Sequence, residues 1–220
     1  MKYKYVILDF GKVLAGPTTG DWFITPKFEE IIDMSLIDRD SLNEEFNKFN
    51  DIIGRKMLTQ EEEYNSFFEL YSLVLQEINY PKYSDDIVHE IAYNFTYESD
   101  KYIFYEGVKE ELEGLKKKYK LILLTDNWPC VEKILDDKKL TKYFEKVYIS
   151  SYYGTQKKDG IFFDYPIEEF NIKPHEALFI DDNEINLMRA EEKGLNVLLM
   201  DRDNEIENST YEKITNLLNI

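Results

Sequence analysis

Short apolar runs recur along this chain at residues 5–8, 121–124, 147–149, 177–180 and 197–200. They do not alternate apolar with polar positions. A strand with one wet face alternates; an unbroken run predicts a strand covered on both faces, as in a parallel sheet. Between the later runs the apolar period lengthens to that of a helix. Val108, Leu112 and Leu115 share one face within 107–119. Pro129 suits a helical first turn and precedes Val131, Ile134 and Leu135. Residues 183–193 read as a third helix, stopped by Gly194. Strand followed by helix, repeated, predicts a doubly wound α/β domain with right-handed crossovers.

Residues 17–102 have a different texture, helical throughout. Leu42, Phe46, Phe49 and Ile53 fall on one face, and Ser41 with Glu44 has the spacing of a capping box. Thr59 with Glu62 repeats that spacing ahead of Tyr64, Phe67, Phe68, Tyr71, Val74 and Leu75. A further helix is predicted over 85–95. The pattern divides the chain into an α/β core, residues 1–16 and 103–220, and a helical insertion of about four helices over 17–102. No internal repeat or low-complexity linker interrupts either part.

Composition narrows the partners. Apolar residues make up 43% of the 220, and 17 Tyr and 14 Phe supply bulk for a core. The 44 acidic residues outnumber the 27 basic ones for a formal charge of −17, a field that repels nucleic acid and anionic membranes. Cys130 is the single cysteine, so neither a disulfide framework nor a cysteine metal site is available, and an idle buried thiol is expected. No run approaches the ~18 apolar residues of a membrane span, and Lys2, Lys4 and Asp9 interrupt any signal-peptide core. A cytoplasmic location is the expectation.

Three strands end on polar residues: the first on Asp9, the second on Thr125-Asp126-Asn127, the fourth on Asp181-Asp182-Asn183. Ligands of open α/β sheets bind beyond the carboxyl ends of strands. Carboxylates brought together there repel unless a cation lies between them, and hard oxygen ligands with open positions suit magnesium.

These residues, with "DFGKVL" from Asp9, "GTQKKDGIFF" from Gly154 and "KPHEALFIDDNEINLMRAEEKG" from Lys173, resemble the motifs of the haloacid dehalogenase-like hydrolase superfamily. The resemblance covers residues 1–16 and 103–205, and the insertion stands where that family places a helical type 1 cap. It is similar in particular to the branch of alpha-D-glucose-1-phosphate phosphatase and the N-terminal phosphatase domain of soluble epoxide hydrolase. What the resemblance implies is a magnesium-dependent phosphatase. Asp9 would be the nucleophile, passing through an aspartyl-phosphate. Asp9, Asp182 and the Gly11 carbonyl would hold the metal. Thr125, Asp126 and Lys157 would contact the phosphorylated substrate, with Thr125 and Lys157 serving catalysis; Lys158 is the other candidate for the site lysine.

The chain departs from the family at three places. Gly11 stands where most phosphatases of the superfamily have a second Asp, Lys12 where Gly or Asn is usual, and Asp126 where Asn is usual. A glycine can offer its carbonyl but cannot move a proton, and proton transfer is typically worth ~10²–10⁴-fold. The expected function is hydrolysis of a small phosphorylated metabolite, a sugar phosphate for preference. The alternatives are a weakly catalytic relative that binds a metabolite or protein, and a 2-haloacid dehalogenase, against which the Asp181-Asp182 pair argues. His89 and His175 read as surface or packing residues, and Trp22 and Phe23 as core packing where the chain enters the insertion. Substrate identity and oligomeric state are not legible.

Overall fold

The computed structural model describes residues 2–98 and 100–220. Six strands form one all-parallel sheet. They are β1 (Tyr5–Leu8), β4 (Lys120–Thr125), β5 (Phe144–Ile149), β6 (Ala177–Asp181), β7 (Asn196–Met200) and the two-residue β8 (Lys213–Ile214), ordered β5-β4-β1-β6-β7-β8. β1 is central, with Leu8 opposite Leu123 on one side and Ile180 on the other. Its side chains divide between two cores. Val6 and Leu8 join Leu121, Leu123, Leu178 and Ile180 on one face, while Tyr5 and Ile7 join Ile122, Leu124, Ala177 and Phe179 on the other. Both faces are dry, which is why the sequence does not alternate.

The crossovers carry α6 (Val108–Lys116), α7 (Cys130–Asp137), α8 (Ser150–Tyr153), α9 (Asp164–Glu169) and α10 (Glu184–Glu192). The first of these starts at Gly107 in the left-handed region, φ 80°, a conformation that favours glycine. The last is capped by Asn183, whose side-chain oxygen accepts from the Ile185 amide at 2.9 Å.

A second, antiparallel pair stands at the foot of the insertion: β2 (Ala15–Pro17) against β3 (Tyr102–Phe104), with Ala15 opposite Phe104. The apolar pattern does not announce it, because Ala-Gly-Pro is too short and too poor in β-formers to read as a strand. Between the two lie α1 (Pro26–Ile31), α2 (Arg39–Lys48), α3 (Asn50–Ile53), α4 (Gln60–Glu77) and α5 (Asp85–Tyr97). The insertion thus holds five α-helices among the described residues, against about four expected.

Two capping expectations change. α2 begins upstream of Ser41, and its N-cap is Asp38, whose carboxylate accepts from the Ser41 amide at 2.9 Å and the Ser41 hydroxyl at 2.7 Å. Ser41 is therefore already inside the helix, and no Ser41–Glu44 box forms. Phe49 then leaves helical geometry at φ −99°, ψ 36°, so the stripe from Leu42 to Ile53 is split between α2 and α3. At α4 the Thr59 hydroxyl does accept from the Glu62 amide at 3.1 Å. Glu62 returns its carboxylate to the Leu58 amide at 2.6 Å, one residue earlier than a capping box requires.

An aromatic cluster joins the insertion to the core. Phe67 lies 4.1 Å from Phe95 and 4.9 Å edge-on from Trp128, centroid to centroid. Beneath it, the buried Lys101 ammonium donates to the Phe95 carbonyl at 2.6 Å and to the Cys130 sulfur at 3.0 Å, and sits 3.9 Å from Glu63. Glu63 accepts from the Cys130 amide at 2.7 Å, so a carboxylate from α4 meets the first turn of α7, where negative charge is favoured. Burial pushes the Cys130 thiol up, with Lys101 opposing, which agrees with an idle thiol.

Candidate active site

Because β1, β4 and β6 run parallel and side by side, their carboxyl ends open at one edge. Asp9 follows β1 directly, and its amide donates to the Ile180 carbonyl of β6 at 3.0 Å. Thr125 and Asp126 leave β4, and Asp181 and Asp182 leave β6. The lysine arrives from the far side of β4. After β5 the chain makes the short α8, turns at Gly154 (φ 66°) and enters a 3-10 turn at Lys157–Asp159. Asp159 braces that turn, accepting from the Gln156 amide at 2.9 Å.

Lys157 is buried at 1% exposure, whereas Lys158 is exposed. The Lys157 ammonium lies 2.6 Å from Asp9 Oδ1 and 2.6 Å from Asp181 Oδ2. Asp181 is further held by the Asn183 amide at 2.8 Å and by the Asn186 side chain, 3.1 Å from each oxygen. Asp126 turns both carboxylate oxygens to the Lys157 amide, at 3.0 and 3.3 Å. Its carboxylate is thus engaged in fixing the loop that carries the ammonium.

Carboxylate oxygens of Asp9, Asp181 and Asp182 lie within 4.8 Å of one another. One ammonium faces three carboxyls, and the imbalance shows in their proton affinities. Burial pushes the Asp9 carboxyl well up; Lys157 opposes this, and Asp181 and Asp182 add to it. Burial and Asp181 push Asp182 up to about 6. Burial works against the Lys157 ammonium, but Asp181, Asp9 and Asp126 outweigh it and push its pKa up. A site that holds excess negative charge on hard oxygens, out of solvent, fits a divalent cation such as magnesium. Asp181 is committed to Lys157, Asn183 and Asn186, which leaves Asp9 and Asp182 as the freer donors.

A cavity of about 270 Å³ opens onto this cluster. Asp9, Gly11, Thr125, Asp126, Lys157 and Asp182 all line it, so the six residues given metal, substrate or catalytic roles from the sequence come to one place. Trp22, Phe23, Ile53, Tyr102 and Trp128 supply the apolar and aromatic part of its wall, and Asn127, Ser150, Gln156, Asn183 and Asn186 complete it. Here the expectation for Trp22 and Phe23 is corrected in part. Phe23 does stack in the core, 5.1 Å from Phe46, yet both residues also line the cavity. The histidines lie elsewhere: His175 is exposed, and His89 is exposed on α5, its ring nitrogen 2.7 Å from the Tyr64 hydroxyl. Tyr102 and Trp128 escaped the sequence reading, and Ile53 was read only as part of a helical face. An isolated apolar residue carries no spacing signal, and Trp128 reaches its place by donating its indole N–H to the Ile53 carbonyl at 3.0 Å.

The family model for haloacid dehalogenase-like hydrolases matches residues 32–200. A curated relative, the D-ribitol-5-phosphate phosphatase of Bacteroides thetaiotaomicron, is 32% identical over 88 residues, which is 37% of this chain and 43% of that protein. The match therefore spans less than half of the relative's length. Among solved structures, the HAD-hydrolase YfnB of Bacillus subtilis, bound to magnesium, has a TM-score of 0.69 at 18% identity, covering 100% of both chains. The L-2-haloacid dehalogenase of Xanthobacter autotrophicus has a TM-score of 0.71 at 14% identity, covering 99% of this chain and 96% of its own. Likeness at these identities speaks for the fold alone.

Proposed function

Because the chain belongs to the haloacid dehalogenase-like hydrolase family, we propose that it is a magnesium-dependent phosphomonoester hydrolase acting on a small phosphorylated metabolite such as a sugar phosphate. The observation that carries this reading is the cluster of buried Asp9 and Asp181 with half-buried Asp182, the first two sharing a single ammonium, beside a cavity. A metal-free dehalogenase has little use for Asp182, whereas phosphoryl transfer needs cationic charge at that spot.

Asp9 is the nucleophile. Lys157 holds its Oδ1, while Oδ2 lies on the side of Gly11 and Trp22. Attack on phosphorus breaks the ester bond and leaves an aspartyl-phosphate, which water then hydrolyses to inorganic phosphate. The Thr125 hydroxyl and the Lys157 ammonium hold phosphoryl oxygens through the transfer. Asp126 positions Lys157 through its amide. Magnesium, held by Asp9, Asp182 and the Gly11 carbonyl, would supply the positive charge that lets a carboxylate approach a phosphate dianion. Residues 17–102 act as a cap, contributing Trp22, Phe23, Ile53 and Tyr102 to the wall and keeping bulk water from the reacting centre. The matched relative, a D-ribitol-5-phosphate phosphatase, and the −17 charge both agree with a small phosphorylated substrate rather than a nucleic acid.

A second reading, a relative that binds a phosphorylated metabolite with feeble turnover, draws on Gly11, which brings no proton donor to the site. A panel of phosphorylated metabolites with magnesium, assayed for phosphate release by wild type and Asp9→Asn, decides between them. Magnesium-dependent release by wild type alone is expected. Tight binding without turnover would favour the second reading, equal release by both proteins would remove Asp9 from the reaction, and chloride release from 2-haloacids in EDTA would restore the dehalogenase.

A further inference from the structure

Every titratable side chain on the cavity wall, among the described residues, is already engaged. Asp9 is the nucleophile in the reading above, Lys157 binds Asp9 and Asp181, and Asp126 accepts the Lys157 amide. Asp182 belongs to the carboxylate trio. Tyr102 donates its hydroxyl to Asn127 at 3.3 Å, and burial holds its proton tightly. The amides and hydroxyls that complete the lining carry no acidic proton. Two residues beyond the nucleophile there is no side chain at all, and the space is filled: a Cβ placed on Gly11 would meet the Trp22 ring at 3.1 and 3.4 Å. The indole stands where a proton donor on that residue would have to extend.

The same wall says what it accommodates. Four aromatic residues, Trp22, Phe23, Tyr102 and Trp128, line it beside uncharged amides and hydroxyls, and Lys157 is the one cation lining the cavity among the described residues. A second anionic group on the substrate would find no counter-charge.

We propose that this site selects phosphomonoesters whose organic part is an uncharged ring and whose leaving oxygen is weakly basic, as in a phenol or an enol. The inference rests on the phosphatase reading. As the Asp9 oxygen bonds to phosphorus, the ester P–O bond breaks and its electron pair departs on the ester oxygen. That oxygen leaves as an anion and takes its proton from water afterwards. Water then attacks phosphorus, the Asp9 O–P bond breaks, and the sum is one ester and one water giving one alcohol and inorganic phosphate. A positioned acid is worth ~10²–10⁴-fold, and its absence weighs most on strongly basic leaving groups.

The test compares kcat/KM for 4-nitrophenyl, phenyl and benzyl phosphate with magnesium, since kcat/KM reports the steps through ester cleavage. Benzyl phosphate keeps the ring but must leave as an alkoxide. The expected order is 4-nitrophenyl above phenyl, with benzyl at least about 10²-fold below phenyl; a smaller gap overturns the proposal. Asp126→Asn is expected to lower all three by a similar factor. A loss confined to benzyl phosphate would identify Asp126 as a proton donor and also overturn it. Trp22→Leu is expected to raise KM for phenyl phosphate while sparing acetyl phosphate, which has a good leaving group and no ring. An equal rise for both would overturn the ring assignment. Turnover of metabolites with none of the three aryl or benzyl esters accepted would do so as well. Failure to release phosphate from any ester, by contrast, would remove the phosphatase reading itself.

Discussion

The Lys157 ammonium lies 2.6 Å from Asp9 Oδ1, and neither side chain is more than 9% exposed. Removing one member of a buried ion pair strands the other, at a typical loss of about 3–5 kcal/mol. Lys157→Met leaves both Asp9 and Asp181 without their cation, so urea unfolding without magnesium should show a loss of that size. Magnesium should then stabilise the variant more than it stabilises wild type. A loss below about 1 kcal/mol would mean that the pair is solvated rather than buried.

Asp182 gives a pH dependence whose sign is fixed. Burial and Asp181 push its carboxyl up to about 6 from the ordinary 3.8. Folding therefore favours the protonated form. The stability this adds is fully present below the unfolded value and is lost as pH rises through about 6. Without magnesium, wild type should lose about 1–3 kcal/mol relative to Asp182→Asn between about pH 4 and about pH 7.5. Paired urea titrations in EDTA measure this, and a difference that does not vary with pH would contradict it.

The core was legible because buried parallel strands read as unbroken apolar runs. The first strand stands at residues 5–8 as read, and the others lengthen by polar end residues such as Lys120, Glu145 and Asn196 that no hydrophobic pattern includes. The strand-end polar residues were legible too, since Asp9, Thr125 and Asp181 each interrupt a run at its carboxyl end. The choice between Lys157 and Lys158 was not; only the turn geometry buries one and exposes the other. Nor were Glu63 and Lys101, whose pairing is distant in sequence and leaves no spacing to detect. The start of α2 was misread because Asp38 and Ser41 are both good caps, and the carboxylate at Asp38 captures Ser41 itself.

That hidden pair is testable. Glu63 and Lys101 are both within 3% of full burial, and burial pushes the Glu63 carboxyl up against the pull of Lys101. Lys101→Met should cost about 3–5 kcal/mol. Glu63→Gln combined with Lys101→Met should cost less than the two single losses added, with a coupling of at least about 1 kcal/mol. Strict additivity would show that the two groups do not interact.

Lys12 takes φ 51°, a left-handed conformation that costs a lysine about 1 kcal/mol and a glycine little. Its charge also lowers the proton affinity of Asp182, so the backbone effect is best isolated in an Asp182→Asn background. There Lys12→Gly should raise the unfolding free energy by about 0.5–1 kcal/mol. A loss of stability would mean that the lysine side chain contributes more than its backbone strain removes.

The central claim is that Asp9 carries the phosphoryl group during turnover. The most direct measurement is peptide mass analysis of protein quenched in acid while it hydrolyses a phosphate ester with magnesium, with borohydride reduction to mark the acyl phosphate. The expected result is a phosphoryl group, or its reduced product, on the peptide holding Asp9, and none on Asp9→Asn. Sustained phosphate release with that peptide unmodified, or with the adduct on another residue, would contradict the mechanism.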